Sequence, residues 1–311
     1  MLRIFQRTLR RTIETTGIGL HSGEKVHLVL KPAPEGSGVV FVRSDLEGGV
    51  ELPARADLVV DTALATSLGV EHPVHGEVRV GTVEHLLSAI YGLGIDNLRV
   101  EVDGPEIPIM DGSAAPFVFL LQSAGVRVQS RYKRFLKVLR PVEVSEGDKR
   151  ARLEPSAGFQ VRCAIDFDHP LIGTQTFSFD FSDREYYREI CRARTFGFLR
   201  EVELMKSMGL ARGGSLDNAI VVDEFSIMNP DGLRFADEFV RHKVLDTLGD
   251  LALLGAPVLG TLSSMRSGHA LNNKLARAVL ADPSCYELVE ITPPATEAEV
   301  EGLRVPALGL A

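Results

Sequence analysis

Cysteine is scarce in this chain of 311 residues: Cys163, Cys191 and Cys285 are odd in number, widely spaced and without a Cys-x-x-Cys pair. That argues against a disulfide framework and a thiolate metal site, and leaves three reduced thiols as small core residues. Positive charge is not in excess either, with 34 Lys and Arg against 42 Asp and Glu and a formal net charge of −8. Such a balance offers no general attraction to a phosphate backbone, so no nucleic-acid binding is expected and an anionic ligand needs a local group of cations. Long apolar runs are missing too. Residues 251–262 come nearest, but Gly255, Pro257 and Gly260 interrupt them and they fall short of the roughly 18 residues a membrane span requires. Arg3, Arg7, Arg10 and Arg11 are followed by no apolar stretch of the kind a secretory signal has, so a cytoplasmic protein, expected as a monomer, is the reading. What is present is bulk: 45% hydrophobic residues suffice for a full core and for two domains.

Residues 25–30 and 38–42 are rich in β-branched side chains and flanked by Gly or Pro, and read as strands. From Thr82 the period changes. Val83, Leu86, Leu87, Ile90 and Tyr91 recur at helical spacing, with Thr82 placed to cap the helix and Gly92 and Gly94 to end it. Residues 97–102 alternate as a half-buried strand, and Asp111-Gly112-Ser113 leads into a helix over 114–124 that Gly125 stops. Residues 129–135 carry three basic side chains and no apolar period, which reads as a connection with a boundary near Ser130. Strands over 136–144 and 159–167 follow, then a long helix over 235–254 closed by Gly255 and Pro257, and a last helix over 270–280. Each half thus has strands plus two helices, and the expectation is α+β: two similar domains, 1–129 and 130–292, facing each other with polar clusters between them. Residues 293–311, with three prolines and many Glu and Ala, read as a C-terminal tail.

On the long helix Glu238, His242, Asp246 and Asp250 form a stripe at four-residue steps, opposite Phe239, Val240, Val244, Leu248 and Leu251. His242 and Asp246 leave one face about a turn apart, as a pair of metal ligands would. A solvated face with i,i+4 pairing has the same pattern. Glu84-His85 differs from His-Glu-x-x-His, because neighbouring helical residues point about 100° apart. At a helix start both can nonetheless face a cleft, His85 toward a metal and Glu84 toward a water, or Glu84 can simply answer the helix dipole. His269 follows Gly268 at a helix N-terminus, where a carboxylate is needed to favour the imidazolium, and Asp250 is the obvious candidate. An ordinary hydrogen-bonded histidine would look the same. His72 and His75, beside Pro73 and Gly76, read as turn residues, and the role of His21 stays open. Three ligands, a base and an acid make the inventory of a zinc hydrolase.

Five motifs in order carry a resemblance: Thr82-Val83-Glu84-His85-Leu86, Asp111-Gly112-Ser113-Ala114-Ala115-Pro116-Phe117, Ala193-Arg194-Thr195-Phe196-Gly197-Phe198, Arg241-His242-Lys243-x-x-Asp246 and Ser267-Gly268-His269-Ala270-Leu271-Asn272-Asn273. With Thr16-Gly17-Ile18-Gly19-Leu20-His21-Ser22-Gly23 at the start, the chain to about residue 285 resembles the UDP-3-O-acyl-N-acetylglucosamine deacetylases of lipid A biosynthesis. The resemblance implies a β-α-α-β sandwich with the helices between the sheets, an insert around 58–80 and an acyl-passage insert around 195–222. It implies a zinc amidase that releases acetate from a UDP-linked, 3-O-acylated N-acetylglucosamine. His85, His242 and Asp246 would hold Zn2+, Glu84 would be the base, and Thr195 would help stabilise the oxyanion. His269 would protonate the leaving amine, with Asp250 orienting it. Lys243 would meet a phosphate, Asp166 and Phe167 the uridine. Phe196, Phe198, Leu199, Leu204, Met205, Met208 and Leu210 would form the acyl passage near Gly214 and Ser215, although composition alone would place that stretch in the core. Two departures stand out: Arg266 precedes Ser-Gly-His where lysine is expected, and residues 71–76 lengthen the first insert. A zinc hydrolase of another N-acyl sugar, or a nucleotide-sugar-binding zinc protein without turnover, would share much of this pattern.

Overall fold

The structure, a computed structural model, describes residues 4–292; the tail expected over 293–311 lies outside the described residues. The α+β expectation holds. A first large sheet has five strands in the order Ile13–Ile18, Lys25–Pro32, Leu98–Val102, Val39–Arg43, Val50–Pro53, antiparallel except for the pair Val39–Arg43 and Leu98–Val102. Alternate residues of two neighbours, Val26, Leu28 and Leu30 against Leu98, Val100 and Val102, are buried, with Leu28 opposite Val102 and Leu30 opposite Val100. Period-two patterning thus makes one apolar face that has to be covered. In the second large sheet, of seven strands, Val258–Met265 pairs with Lys149–Glu154, Phe159–Phe167 and Arg134–Val138; Val142–Glu146, Gly173–Asp180 and Tyr286–Glu290 extend it.

The helices are α1 (Glu84–Gly92), α2 (Ala115–Ala124), the single turn α3 (Asp183–Glu185), α4 (Leu199–Ser207), α5 (Glu238–Ala252) and α6 (His269–Ala281). α2 packs on α1 and the first sheet, α5 and α6 pack together on the second, and α1 lies along α5, so these four helices are between the sheets. Gly249 makes the central contact possible. A Cβ there would stand 2.1 Å from the Glu84 carbonyl oxygen, so α1 and α5 meet backbone to backbone. Among the described residues, no helix is long and apolar enough to cross a membrane. All three cysteines are buried and unpaired.

Three local expectations are corrected. Thr82 does not cap α1: it has a φ of 55°, its hydroxyl donates to Glu106 Oε1 at 3.0 Å, and Val83 is the N-cap. Residues 129–132 are not connection but part of the strand Val126–Tyr132, paired with Phe5–Leu9. A two-stranded ribbon with much of its surface in solvent needs no strict apolar alternation, and so left no periodic signal. The strand expected over 136–144 is two strands, Arg134–Val138 and Val142–Glu146, separated around Pro141.

Candidate metal and catalytic centre

The polar stripe of α5 is not a solvated face: Glu238, His242, Asp246 and Asp250 are all at most 3% exposed. α1 brings Glu84 and His85 against it, both 3% exposed. His242 Nδ1 donates to the Ala193 carbonyl at 3.0 Å, which leaves the Nε2 lone pair facing Asp246 Oδ1 at 3.2 Å. His85 Nε2 stands 3.6 Å from the same oxygen, and the two imidazoles are edge to face at 5.0 Å. Burial keeps His242 below its ordinary pKa, which favours the neutral, ligating form. For Asp246 burial opposes the charge, but His242 and Lys243 outweigh it and hold the carboxyl well below the usual range.

His85 Nδ1 and Asp246 Oδ1 are buried without a hydrogen-bond partner. Orphaned buried polar atoms are costly, and a cation between His85 Nε2 and Asp246 Oδ1 removes that cost at the carboxylate oxygen. The ligating atoms of His85, His242 and Asp246 lie within 4.8 Å of one another, the only such group of three or more His, Cys, Asp or Glu side chains among the described residues. Two imidazoles and a carboxylate fit a transition metal such as zinc better than magnesium or calcium, which take oxygen ligands.

Glu84 Oε2 accepts from the Thr66 backbone N–H at 3.0 Å, while Oε1 faces His269 Nε2 at 3.9 Å. Burial pushes its pKa up, against the pull of His269 and His85. His269 Nδ1 donates to Asp250 Oδ2 at 3.0 Å, the pairing read from the sequence. Burial disfavours the imidazolium, but Asp250 and Glu84 outweigh it and push the pKa up to about 10. Asp250 is itself held: Oδ1 accepts from the Thr66 hydroxyl at 2.6 Å and Oδ2 from Asn272 Nδ2 at 2.8 Å. Sequence reasoning assigned nothing to Thr66 or Asn272. Asn272 stands inside a quoted motif, but Thr66 touches Asp250 across 184 positions of chain and carries no local signal.

Thr195 is anchored by its N–H to the Gly112 carbonyl at 2.8 Å. Gly112 has a φ of 80°, and a Cβ there would stand 2.0 Å from the Asn218 carbonyl oxygen, so this crossing admits only glycine. The preceding Arg194 meets Glu238 through Nε at 2.9 Å and Nη2 at 3.1 Å, a buried pair that ties the Ala193–Thr195 loop to the first turn of α5. Thr195, His21, Phe196, Met205, Gly214 and Ser215 help line a cavity of about 240 Å³. Phe196 packs on Phe239 at 4.9 Å and lies 6.3 Å from the His242 ring, so the cavity abuts the ligand group. Composition placed this segment in the core, and the structure does not: α4 buries none of its residues, and Leu204 and Met208 are 59% and 67% exposed. Its Leu199, Val202 and Met205 face the cavity.

Phe167 packs on Phe196 and Phe198 at 5.6 and 5.8 Å. Asp166 accepts from the Thr174 hydroxyl at 2.8 Å and pairs with Arg266, which also reaches Asp148. Lys243 Nζ is bonded to Asp246 Oδ2 at 2.9 Å, so it stands on a member of the ligand group with its side chain 23% exposed. His21 donates its backbone N–H to Glu106, and both ring nitrogens are buried without a partner at the cavity. His72 ends the strand Ser67–His72 and His75 lies in the turn after it, and the two rings stack at 4.9 Å.

Comparison with known proteins decides the family. The family model described as LpxC, UDP-3-O-acyl N-acetylglycosamine deacetylase, matches residues 6–281, a span containing every residue of the centre. The chain belongs to the LpxC family. Relatives named UDP-3-O-acyl-N-acetylglucosamine deacetylase include one from Myxococcus xanthus, 60% identical over 98% of this chain and 95% of the relative. Others come from Acidithiobacillus ferrooxidans, 55% identical over 92% of this chain and 93% of the relative, and Stenotrophomonas maltophilia, 54% identical over 96% and 97%. LpxC enzymes are metalloenzymes, and among the described residues His85, His242 and Asp246 are the group with a donor set that could hold a metal.

Proposed function

We propose that this chain is a cytoplasmic, Zn2+-dependent deacetylase that removes the N-acetyl group from UDP-3-O-(3-hydroxyacyl)-N-acetylglucosamine, giving acetate and the free 2-amine, the committed step of lipid A biosynthesis. Family membership supports the substrate class. The observation that carries the chemistry is that a buried carboxylate and a carboxylate-paired histidine face each other across 3.9 Å beside the three-ligand group. A metal held by His85, His242 and Asp246 would supply Lewis acidity to the acetyl carbonyl and the attacking water.

Glu84, fixed through Oε2, keeps Oε1 for the proton that the water loses as its oxygen attacks the acetyl carbon. Its raised pKa suits a group that must hold that proton. The Thr195 hydroxyl is the proposed donor to the developing oxyanion. His269 gives its Nε2 proton to the departing amine while Nδ1 stays bonded to Asp250, so the imidazolium is stabilised without Asp250 becoming the acid. Lys243, Asp166 and Phe167 are assigned to the UDP part, and Phe196, Phe198, Gly214 and Ser215 to the acyl chain.

A sugar-binding zinc protein without turnover would need neither the base nor the acid. E84A and H269A are each expected to lower acetate release from UDP-3-O-acyl-GlcNAc by about 10²- to 10⁴-fold with metal content retained. Activity at the parent level in either variant, or full activity after chelation of the metal, would sink the proposal.

A further inference from the structure

We infer that Thr66 is a positioning residue that holds the proposed base and the partner of the proposed acid in register. The inference rests on the roles given above to Glu84 and His269. Thr66 is 1% exposed and precedes the strand Ser67–His72, outside both large sheets. It makes three bonds into the centre. Its carbonyl accepts from Val83 N–H at 3.2 Å where α1 begins, its own N–H donates to Glu84 Oε2 at 3.0 Å, and its hydroxyl donates to Asp250 Oδ1 at 2.6 Å. One residue therefore grips the start of α1, the carboxylate of Glu84 on α1 and a carboxylate of α5.

The hydroxyl bond is in the short range of charge-assisted hydrogen bonds to a carboxylate. Asp250 uses its other oxygen for His269 and Asn272, so the Thr66 hydroxyl is what holds Oδ1. Without that hydroxyl a buried carboxylate oxygen loses its donor, and the group gains freedom to turn about its Cβ–Cγ bond. Turning swings Oδ2 away from His269 Nδ1 and lets the imidazole leave its line to the leaving amine. Valine has threonine's shape without its hydroxyl, and serine has the hydroxyl without the methyl, so the two substitutions separate packing from bonding.

T66V and T66A are expected to lower kcat by about 10- to 100-fold, the scale of a small misplacement of reacting groups, with KM within about twofold. Metal content should stay at the parent's level. T66S should recover most of the loss, and the Nδ1 proton resonance of His269 should move in T66V but return in T66S. Parent-like kcat in a folded T66V or T66A overturns the inference, as does loss of metal along with activity, or a T66S no better than T66A. Should T66V fail to fold, T66A and T66S decide by the same readouts. E84A and H269A in the same assay keep the two ideas apart: if they are inactive while T66V is normal, only the Thr66 role falls; if they are active, the underlying reading falls.

Discussion

At one end of the site, His85, His242 and Asp246 stand on two helices pressed backbone to backbone and are 2–3% exposed. At the other, the cavity is walled by α4, nine residues long with none buried. The first end is held by bonds that cross between chain segments, such as Thr66 to Asp250 and Ala193 to His242. Side chains that face empty space on one side and solvent on the other hold the second. Positioning of reacting atoms tolerates little displacement, whereas an apolar wall can give way and still exclude water. Buried hydrogen bonds are thus concentrated at the His85, His242 and Asp246 end and are few along α4.

The sharpest way to break this contrast is at Glu238, which is 0% exposed and accepts from Arg194 N and Nε and from Arg234 N. E238A strands a buried guanidinium and should cost about 3–5 kcal/mol of stability in a denaturant melt. A loss below about 1 kcal/mol would show that the loop is not clamped as described.

D250N should act on pH dependence. Asp250 heads the causes that raise the His269 pKa against burial, so in the parent the imidazolium persists above the ordinary histidine value of 6.5. Stability from this contact is fully present below the unfolded value and is lost as pH rises through the folded one. D250N should move the alkaline limb of kcat/KM to lower pH, together with a lower kcat. An unmoved limb would separate the limb from His269.

The smallest effects belong to the wall. M205A should raise KM a few-fold for long acyl chains and hardly at all for short ones, since a lost methylene is worth about 0.8 kcal/mol. L204S, on the exposed side, should change stability by no more than about 0.5 kcal/mol. Equal effects of the two on KM would erase the distinction between the faces of α4.

Much of the centre was legible in the chain because helical period and local context carry it. Four-residue spacing puts His242 with Asp246, and a carboxylate requirement at a helix start points from His269 to Asp250. What could not be read is what depends on distant partners. Thr66 gains its neighbours only when α1 and α5 meet. Thr82 resembles a cap by type, but its left-handed backbone turns the hydroxyl to Glu106 instead. The apolar residues of α4, Leu199, Val202, Leu204 and Met205, suit a core and a cavity wall alike, and only the packing around them distinguishes the two.

The contact at Gly249 leaves no room for any larger residue at the centre of the fold. Glu84 and Gly249 are far apart in sequence, so their contact belongs to the tertiary fold and not to either segment alone. Neither segment alone contains both His85 and His242. The two helices therefore meet over the smallest residue available, and a side chain at Gly249 would collide with the Glu84 carbonyl and push His85 away from His242.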